Sequence, residues 1–282
     1  MGNARLLLFD IGNTAVKVGL ADVDRVSTSY TLRADIGQTA DSLGLTLTTL
    51  LAHARVHLDG IDACIASSVV PAFDPLLREA VERYVGRPLY RVSRDVVVPL
   101  ENRYDRPEEV GADRLVGAYA ARRLFPERRC IVVVDFGTAV TFDCVQDDAY
   151  MGGLIFPGPA TALAALSREA AKLPRVDLDV ESPEPDPCRN TVTSIRHGLV
   201  FGFTCLVEGL TGRLGRRMPE RPLIIGTGGF AGIVGRMSDV FDHQIPCLLL
   251  EGLRMLHNEV VAGGDRPDAN LQPHPSRAKD EP

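Results

Sequence analysis

Lysine is nearly missing from this chain of 282 residues: it stands only at positions 17, 172 and 279, and arginine supplies almost all of the 31 basic side chains. That bias follows base composition, and it singles out each lysine that remains. Long apolar runs are missing too. None reaches the ~18 residues a membrane helix needs, so no span and no membrane partner is expected. The N-terminus, Met1-Gly2-Asn3-Ala4-Arg5, lacks the basic region, apolar stretch and cleavage site of a secretory signal. The six cysteines form no C-x-x-C pair, and several sit inside apolar runs such as Cys130-Ile131-Val132-Val133-Val134. Reduced, buried thiols in a cytoplasmic protein are the expectation. With 37 acidic residues against 31 basic ones, the formal charge is −6, and no nucleic acid partner is indicated. What is present, 45% apolar and 24% charged residues, excludes wholesale disorder, a collagen-like repeat and a disulfide miniprotein. The length suits one large domain or two ordinary ones.

Two segments resemble each other. Leu6 to Leu20 and Val132 to Val145 each read as an apolar β-run, an Asp-x-Gly turn with threonine close behind, and a second β-run with partial alternation. Each predicts a hairpin, and the two together predict an internal duplication with facing lobes. Further strands are expected at Ala63 to Val70 and at Pro222 to Gly229. Helical periodicity appears in Pro75 to Val85, Asp113 to Leu124, Ala160 to Lys172, Thr193 to Leu214 and Leu248 to Glu259. Alternation of the two types argues for an α/β fold. Pro174 to Pro187 reads as a surface loop, and the polar, proline-bearing 263–282 as a disordered tail.

The Asp-x-Gly-Asn-Thr turn suits an anion. Glycine lets the backbone approach, N–H groups and the Thr14 hydroxyl can donate, and a strand-end carboxylate can hold Mg²⁺ directly or through water. Lys17, on the return strand, is spaced to reach a phosphate. One such turn alone is only a hairpin. Two in matching contexts, with Thr227-Gly228-Gly229 after a third strand, make the stronger case.

Asp10-Ile11-Gly12-Asn13-Thr14 resembles the phosphate-1 motif of the sugar kinase, actin and Hsp70 superfamily. Asp135-Phe136-Gly137-Thr138 resembles its phosphate-2 motif, and Thr227-Gly228-Gly229 its adenosine motif. Within that superfamily the chain is similar to type III pantothenate kinases. The selecting features are Tyr104-Asp105-Arg106-Pro107-Glu108-Glu109-Val110-Gly111-Ala112-Asp113-Arg114, Gly152-Gly153-Leu154-Ile155-Phe156-Pro157-Gly158 and Asn190-Thr191. The similarity runs in order from about residue 5 to residue 258.

The resemblance implies an α/β protein of two ribonuclease H-like lobes with ATP in the cleft between them. Its division is 1–115, carrying the first phosphate motif and the pantothenate site, 116–262, carrying the other two motifs, and the tail from 263. ATP would be bound by Asp10, Ile11, Gly12, Asn13, Thr14, Ala15, Val16 and Lys17, with Thr138 from the opposite lobe. Asp113 matches the proton acceptor. Tyr104, Gly111, Ala112, Asp113 and Arg114 match pantothenate contacts, as does Thr191, which the family supplies from the second subunit of a homodimer. Asp135 matches the ligand of a monovalent cation, K⁺ or NH₄⁺, and Asp10 faces Mg²⁺. The implied reaction is ATP-dependent phosphorylation of pantothenate to 4′-phosphopantothenate, the first step of coenzyme A biosynthesis.

Elementary chemistry agrees. Phosphorylating an alcohol requires a neutralised polyphosphate, an aligned hydroxyl and a carboxylate to take its proton. Asp113 opens an apparent helix, whose N-terminus favours the anion, and Arg114 suits a substrate carboxylate. A phosphatase or another kinase of this fold would keep the phosphate motifs without the Tyr104–Arg114 constellation. A kinase-like transcriptional accessory protein would be favoured by loss of Asp113 or Lys17, and both are present. Other features carry less. His53 and His57 have i, i+4 spacing but nothing completes a metal site, so a solvated helix face is expected. His197 suggests packing or capping. Arg213, Arg216, Arg217 and Arg221 suggest a solvated helix end.

Overall fold

The computed structural model describes residues 6–169, 176–180 and 182–263. The chain begins with β1 (Leu6–Ile11), β2 (Ala15–Ala21) and β3 (Val26–Arg33), an antiparallel meander. Helix α1 (Ala40–His53) leads to β4 (Ala63–Ser68), then α2 (Asp74–Ala80), β5 (Leu89–Arg91) and β6 (Glu101–Asn102). Helix α3 (Ala112–Leu124) carries the chain to a second meander, β7 (Cys130–Phe136), β8 (Ala139–Gln146) and β9 (Ala149–Pro157). Then come α4 (Pro159–Glu169), α5 (Thr191–Gly215), β10 (Leu223–Gly228), α6 (Ala231–Met237), β11 (His243–Gln244) and α7 (Leu248–Leu256).

The expected duplication is present in the topology. The first sheet runs β3-β2-β1-β4-β5, and the second runs β9-β8-β7-β10-β11 with β6 added outside β9. The two orders are the same, element for element. In both sheets the first strand is central: β1 pairs antiparallel with β2 and parallel with β4, and β7 does the same with β8 and β10. Such strands are covered on both faces, which explains the unbroken runs Leu6-Leu7-Leu8-Phe9 and Ile131-Val132-Val133-Val134. The edge strand β3 alternates half-buried and exposed residues instead.

One face of the first sheet is covered by α1, through Leu43, Leu47 and Leu51 at i, i+4 and i+8. Burial of each such side chain contributes about 1.5–3 kcal/mol. The other face receives α7, whose Leu249, Leu250, Leu253 and Leu256 pack on Leu6, Leu8, Ala63 and Ile65. Helix α3 lies between the sheets. Val116 and Tyr119 join the first sheet's cluster, while Ala118, Ala120 and Ala121 pack with Ile131, Val133, Val145 and Tyr150 of the second. The expected division at residues 115 and 116 thus falls within a helix that serves both sheets. Strand β6, upstream of it, pairs with the second sheet, and α7, downstream, covers the first.

Three smaller expectations change. His53 and His57 do not share a helix, because α1 ends at His53 and the left-handed Arg55 (φ 58°) turns the chain away. The thiols are not uniformly buried: Cys64, Cys130 and Cys144 are, Cys188 and Cys247 are half-buried, and Cys205 is exposed on α5. The described part of Pro174 to Pro187 is irregular, but Val176 and Val180 are buried, and Val180 packs into the second lobe's core. Residues 170–172 of the third expected helix, and the tail from 264, lie outside the described residues. No helix among the described residues is long and apolar enough to cross a membrane.

Candidate active site

Both hairpin turns open onto one cleft of about 730 Å³ between the lobes. In the first turn the Gly12 N–H donates to the Ala15 carbonyl at 3.0 Å, and in the second the Gly137 N–H donates to the Ala139 carbonyl at 2.9 Å. The tips meet. Thr14 Oγ1 and Thr138 Oγ1 are 3.1 Å apart and share a hydrogen bond across the interlobe gap. Strand alternation decides what else faces the cleft. Ala15 and Lys17 of β2, and Ala139, Thr141 and Asp143 of β8, line it, whereas Ile11 and Val16 lie in the first lobe's core, each 1% exposed.

Three carboxylates, Asp10, Asp113 and Asp135, share the cleft with Lys17. Lys17 Nζ lies 3.7 Å from Asp10 Oδ2. Burial nevertheless pushes the Asp10 carboxyl up to about 7, helped by the negative charges of Asp135 and Asp113 and opposed by Lys17. Burial raises Asp135 as well, with Lys17 opposing and Asp113 reinforcing the shift. Asp113, second residue of α3, accepts the Arg114 backbone N–H at 2.8 Å. Burial dominates there too, and its carboxyl rises despite the backbone hydrogen bond and the nearby Arg114 charge. The helix N-terminus was expected to favour the anion; desolvation outweighs it.

This excess of buried negative charge is the observation against which a cation is judged. The carboxylates oppose one another's ionisation, and a bound cation would relieve them all. Among the described residues, no three His, Cys, Asp or Glu side chains stand close enough to cage a metal by themselves. The donor set therefore fits Mg²⁺ in its usual manner, held by one or two carboxylates, water and the oxygens of a bound polyphosphate.

The third strand end differs from a plain turn. Gly228 has φ +83°, and a Cβ there would stand 2.5 Å from Asp135 Oδ1 and from the Phe136 carbonyl oxygen. Only glycine lets β10 close over Asp135, while Thr227 beside it lines the cleft.

At the other end of the cleft Arg114 is tied down. Its Nε donates to Asp143 Oδ1 at 2.7 Å, and Asp143 is 2% exposed. The Tyr150 hydroxyl donates to the same oxygen at 2.9 Å, and Thr141 Oγ1 donates to Oδ2 at 2.8 Å. Burial raises the Asp143 carboxyl to about 6 while Arg114 and the hydroxyls oppose the shift. Sequence reasoning did not single out Asp143, Thr141 or Tyr150. The available signal was a charged residue in step with Ala139 and Thr141 on a strand whose intervening positions are apolar.

The structure brings Asp10, Gly12, Asn13, Thr14, Ala15, Lys17, Asp113, Arg114, Asp135 and Thr138 to one cleft. Tyr104 stands beside it, its ring centroid 6.4 Å from that of Tyr150. Gly111 caps α3, and Ala112 packs with the first lobe's core. Thr191 is not in the cleft. It lines a separate groove of about 690 Å³ with Leu166, Asn190 and Ile195. His197 Nδ1 accepts the Asp186 N–H at 3.4 Å, a packing role like the one expected.

Residues 6–213 match the family described as type III pantothenate kinase. A type III pantothenate kinase of Desulfovibrio desulfuricans is 69% identical over 254 residues, spanning 90% of this chain and 97% of that protein. That of Nitratidesulfovibrio vulgaris (strain DP4) is 58% identical over the same span, and that of Lawsonia intracellularis 43% over 253 residues, spanning 89% and 94%. Among solved structures, one described as a Baf family transcriptional activator from Campylobacter jejuni superposes with a TM-score of 0.55 at 18% identity, covering 91% of this chain and 99% of that one. The ethanolamine utilization protein EutJ from Carboxydothermus hydrogenoformans gives 0.52 at 12%, covering 89% of each. These two likenesses speak for the fold alone. The family match and the identities of the curated relatives together mean that this chain belongs to the type III pantothenate kinases.

Proposed function

We propose that the protein transfers the terminal phosphoryl group of ATP to the 4′-hydroxyl of pantothenate, giving 4′-phosphopantothenate and ADP in the first step of coenzyme A biosynthesis. The observation that carries the reading is Asp113. It is a buried carboxylate with a raised pKa that shares the cleft with both phosphate-type hairpins, and it has no ion pair among the described residues. A carboxylate so placed can take the hydroxyl proton as the oxygen bonds to phosphorus and the bond to the ADP oxygen breaks. Residues Asp10 to Lys17 and Thr138 bind the polyphosphate, with Gly12 admitting it, the turn amides and threonine hydroxyls donating, and Lys17 adding charge. Mg²⁺ at Asp10, when bound, offsets phosphate charge; a monovalent cation, K⁺ or NH₄⁺, belongs at Asp135. For function the chain divides between residues 115 and 116, the upstream half supplying Asp10, Lys17 and Asp113 and the downstream half Asp135, Thr138 and Thr227.

Tyr104, Gly111, Ala112 and Arg114 form the acceptor site, completed by Thr191 of a second subunit. The exposed apolar side chains of Met151, Leu154, Ile155 and Phe156 on β9 and Leu166 on α4 support a homodimer that would cover them. Adding pantothenate to purified protein with ATP, Mg²⁺ and K⁺ should release ADP; no release would overturn the reading. Replacing K⁺ by Na⁺ should leave activity low, and full activity without K⁺ or NH₄⁺ would remove the Asp135 assignment. A fully active monomer by sedimentation would remove the shared site.

A further inference from the structure

We propose that Asp143 is the positioning residue through which the acceptor site selects a carboxylate-bearing substrate: it fixes the guanidinium of Arg114 in one orientation at the cleft. The inference rests on the reading that pantothenate is the acceptor. An arginine on the first turn of a helix has many rotamers, and a neighbouring carboxylate, Asp113, stands one residue away. An Arg114–Asp113 ion pair would occupy both the proton acceptor and the substrate's counter-charge. No such pair is present among the described residues. Arg114 turns instead to Asp143, with Nε hydrogen-bonded at 2.7 Å and Nη2 also 2.7 Å from Oδ1.

The anchor is itself built in. Asp143 is held from β9 by the Tyr150 hydroxyl and along its own strand by Thr141. The backbone makes room for this. The β8–β9 register shifts between Cys144 and Val145, leaving Met151 as an extra residue, and two glycines follow. At Gly153 a Cβ would stand 3.1 Å from Arg114 Nη2 and 1.7 Å from the Phe142 carbonyl oxygen. The Arg114 guanidinium carbon sits 5.8 Å from the centre of the Tyr150 ring. The side chain is only 9% exposed, and although Nη2 is close to Asp143 it is buried without a hydrogen bond in line. The guanidinium is thus held by Asp143 while Arg114 still lines the cleft. A guanidinium whose plane is already fixed loses little entropy on meeting a planar carboxylate, whereas a carboxamide of the same shape brings no charge to it.

The experiment compares pantothenate with its primary carboxamide as acceptors, in wild type, Asp143→Asn and Tyr150→Phe, with ATP held saturating. Wild type should prefer the acid. Asp143→Asn should lower kcat/KM for the acid relative to the amide at least about tenfold, mainly through KM. Tyr150→Phe, which removes one hydroxyl and leaves the ion pair, should move the preference the same way by a few-fold and decides the matter if Asp143→Asn does not fold. A variant that slows acid and amide equally, or that lowers kcat alone, would show Asp143 to be merely structural and overturn the proposal. Wild type that phosphorylates neither compound fails the parent reading, a result distinct from wild type that phosphorylates both alike, which overturns only the selection argued for Arg114 and Asp143.

Discussion

The two hairpins are copies put to different use. Opposite Asp10 in the first stands Lys17; opposite Asp135 in the second stands Thr141, because the second turn is one residue shorter. One step further along the same face, the first copy has Gly19, where a Cβ would come within 3.1 Å of Leu250 of α7, and the second has Asp143, which holds Arg114 of α3. At the third strand end, Ser67 pairs with Asp10 and Thr227 with Asp135. Ser67 Oγ is buried without a hydrogen-bond partner, while Thr227 lines the cleft and is followed by the left-handed Gly228. The lesson is that duplication supplied the frame and single positions in register supplied the asymmetry. One copy presents a cation to the cleft, and the other presents an anion that holds an arginine.

The sharpest way to break this comparison lies outside both hairpins. If they alone supplied the chemistry, Asp113→Asn would be mild; a proton acceptor predicts a fall in kcat of ~100-fold or more with nucleotide affinity kept, read by steady-state kinetics and ATP titration. Next comes the pair Lys17 and Thr141. Lys17→Met should lower kcat/KM for ATP ~10–100-fold, the value of a charge-assisted contact of ~1.5–3 kcal/mol, whereas Thr141→Val should change it only a few-fold. Equal losses would mean the copies are not specialised as described. The third strand ends sharpen the contrast in stability. Gly228→Ala forces a Cβ against Asp135 at positive φ and should cost about 1–3 kcal/mol, lowering Tm by several degrees, while Ser68→Ala at the matching position should stay near 1 kcal/mol or below.

The smallest effect is a pH trend in metal-free buffer without nucleotide. The folded Asp10 carboxyl titrates near 7 against 3.8 unfolded, so below both values it contributes nothing, and above both the native state carries the burial penalty. Tm should therefore fall as pH rises from about 4 to 7 and the penalty sets in, and Asp10→Asn should flatten the slope. An unchanged slope would place the charge penalty elsewhere.

Much of this was legible. Asp-x-Gly turns and a recurring motif announced the duplication, because turn chemistry is local, and Lys17, singled out by the scarcity of lysine, does line the shared cleft. Strand β3 was not, since its serines and threonines alternate on an exposed edge, and β6 and β11 are two-residue strands whose existence depends on neighbours far along the chain. Helix α1 was masked by three threonines and a glycine, weak helix formers that tertiary packing of Leu43, Leu47 and Leu51 overrides. Asp143 was hidden for a related reason. Apart from Thr141 two residues away, its partners come from α3 and β9, and nothing in sequence spacing brings Arg114 and Tyr150 to it.

The reach of α7 back to the first sheet bears on how the protein is made. Synthesis runs from the N-terminus, and the first sheet's face at Leu6, Leu8, Ala63 and Ile65 has its cover in Leu249, Leu250, Leu253 and Leu256. On the ribosome the first sheet therefore emerges with an uncovered apolar face that closes only when α7 leaves the exit tunnel. The first lobe is therefore completed only once α7 is available, and a nascent chain stalled before residue 248 should remain protease-sensitive in its first lobe.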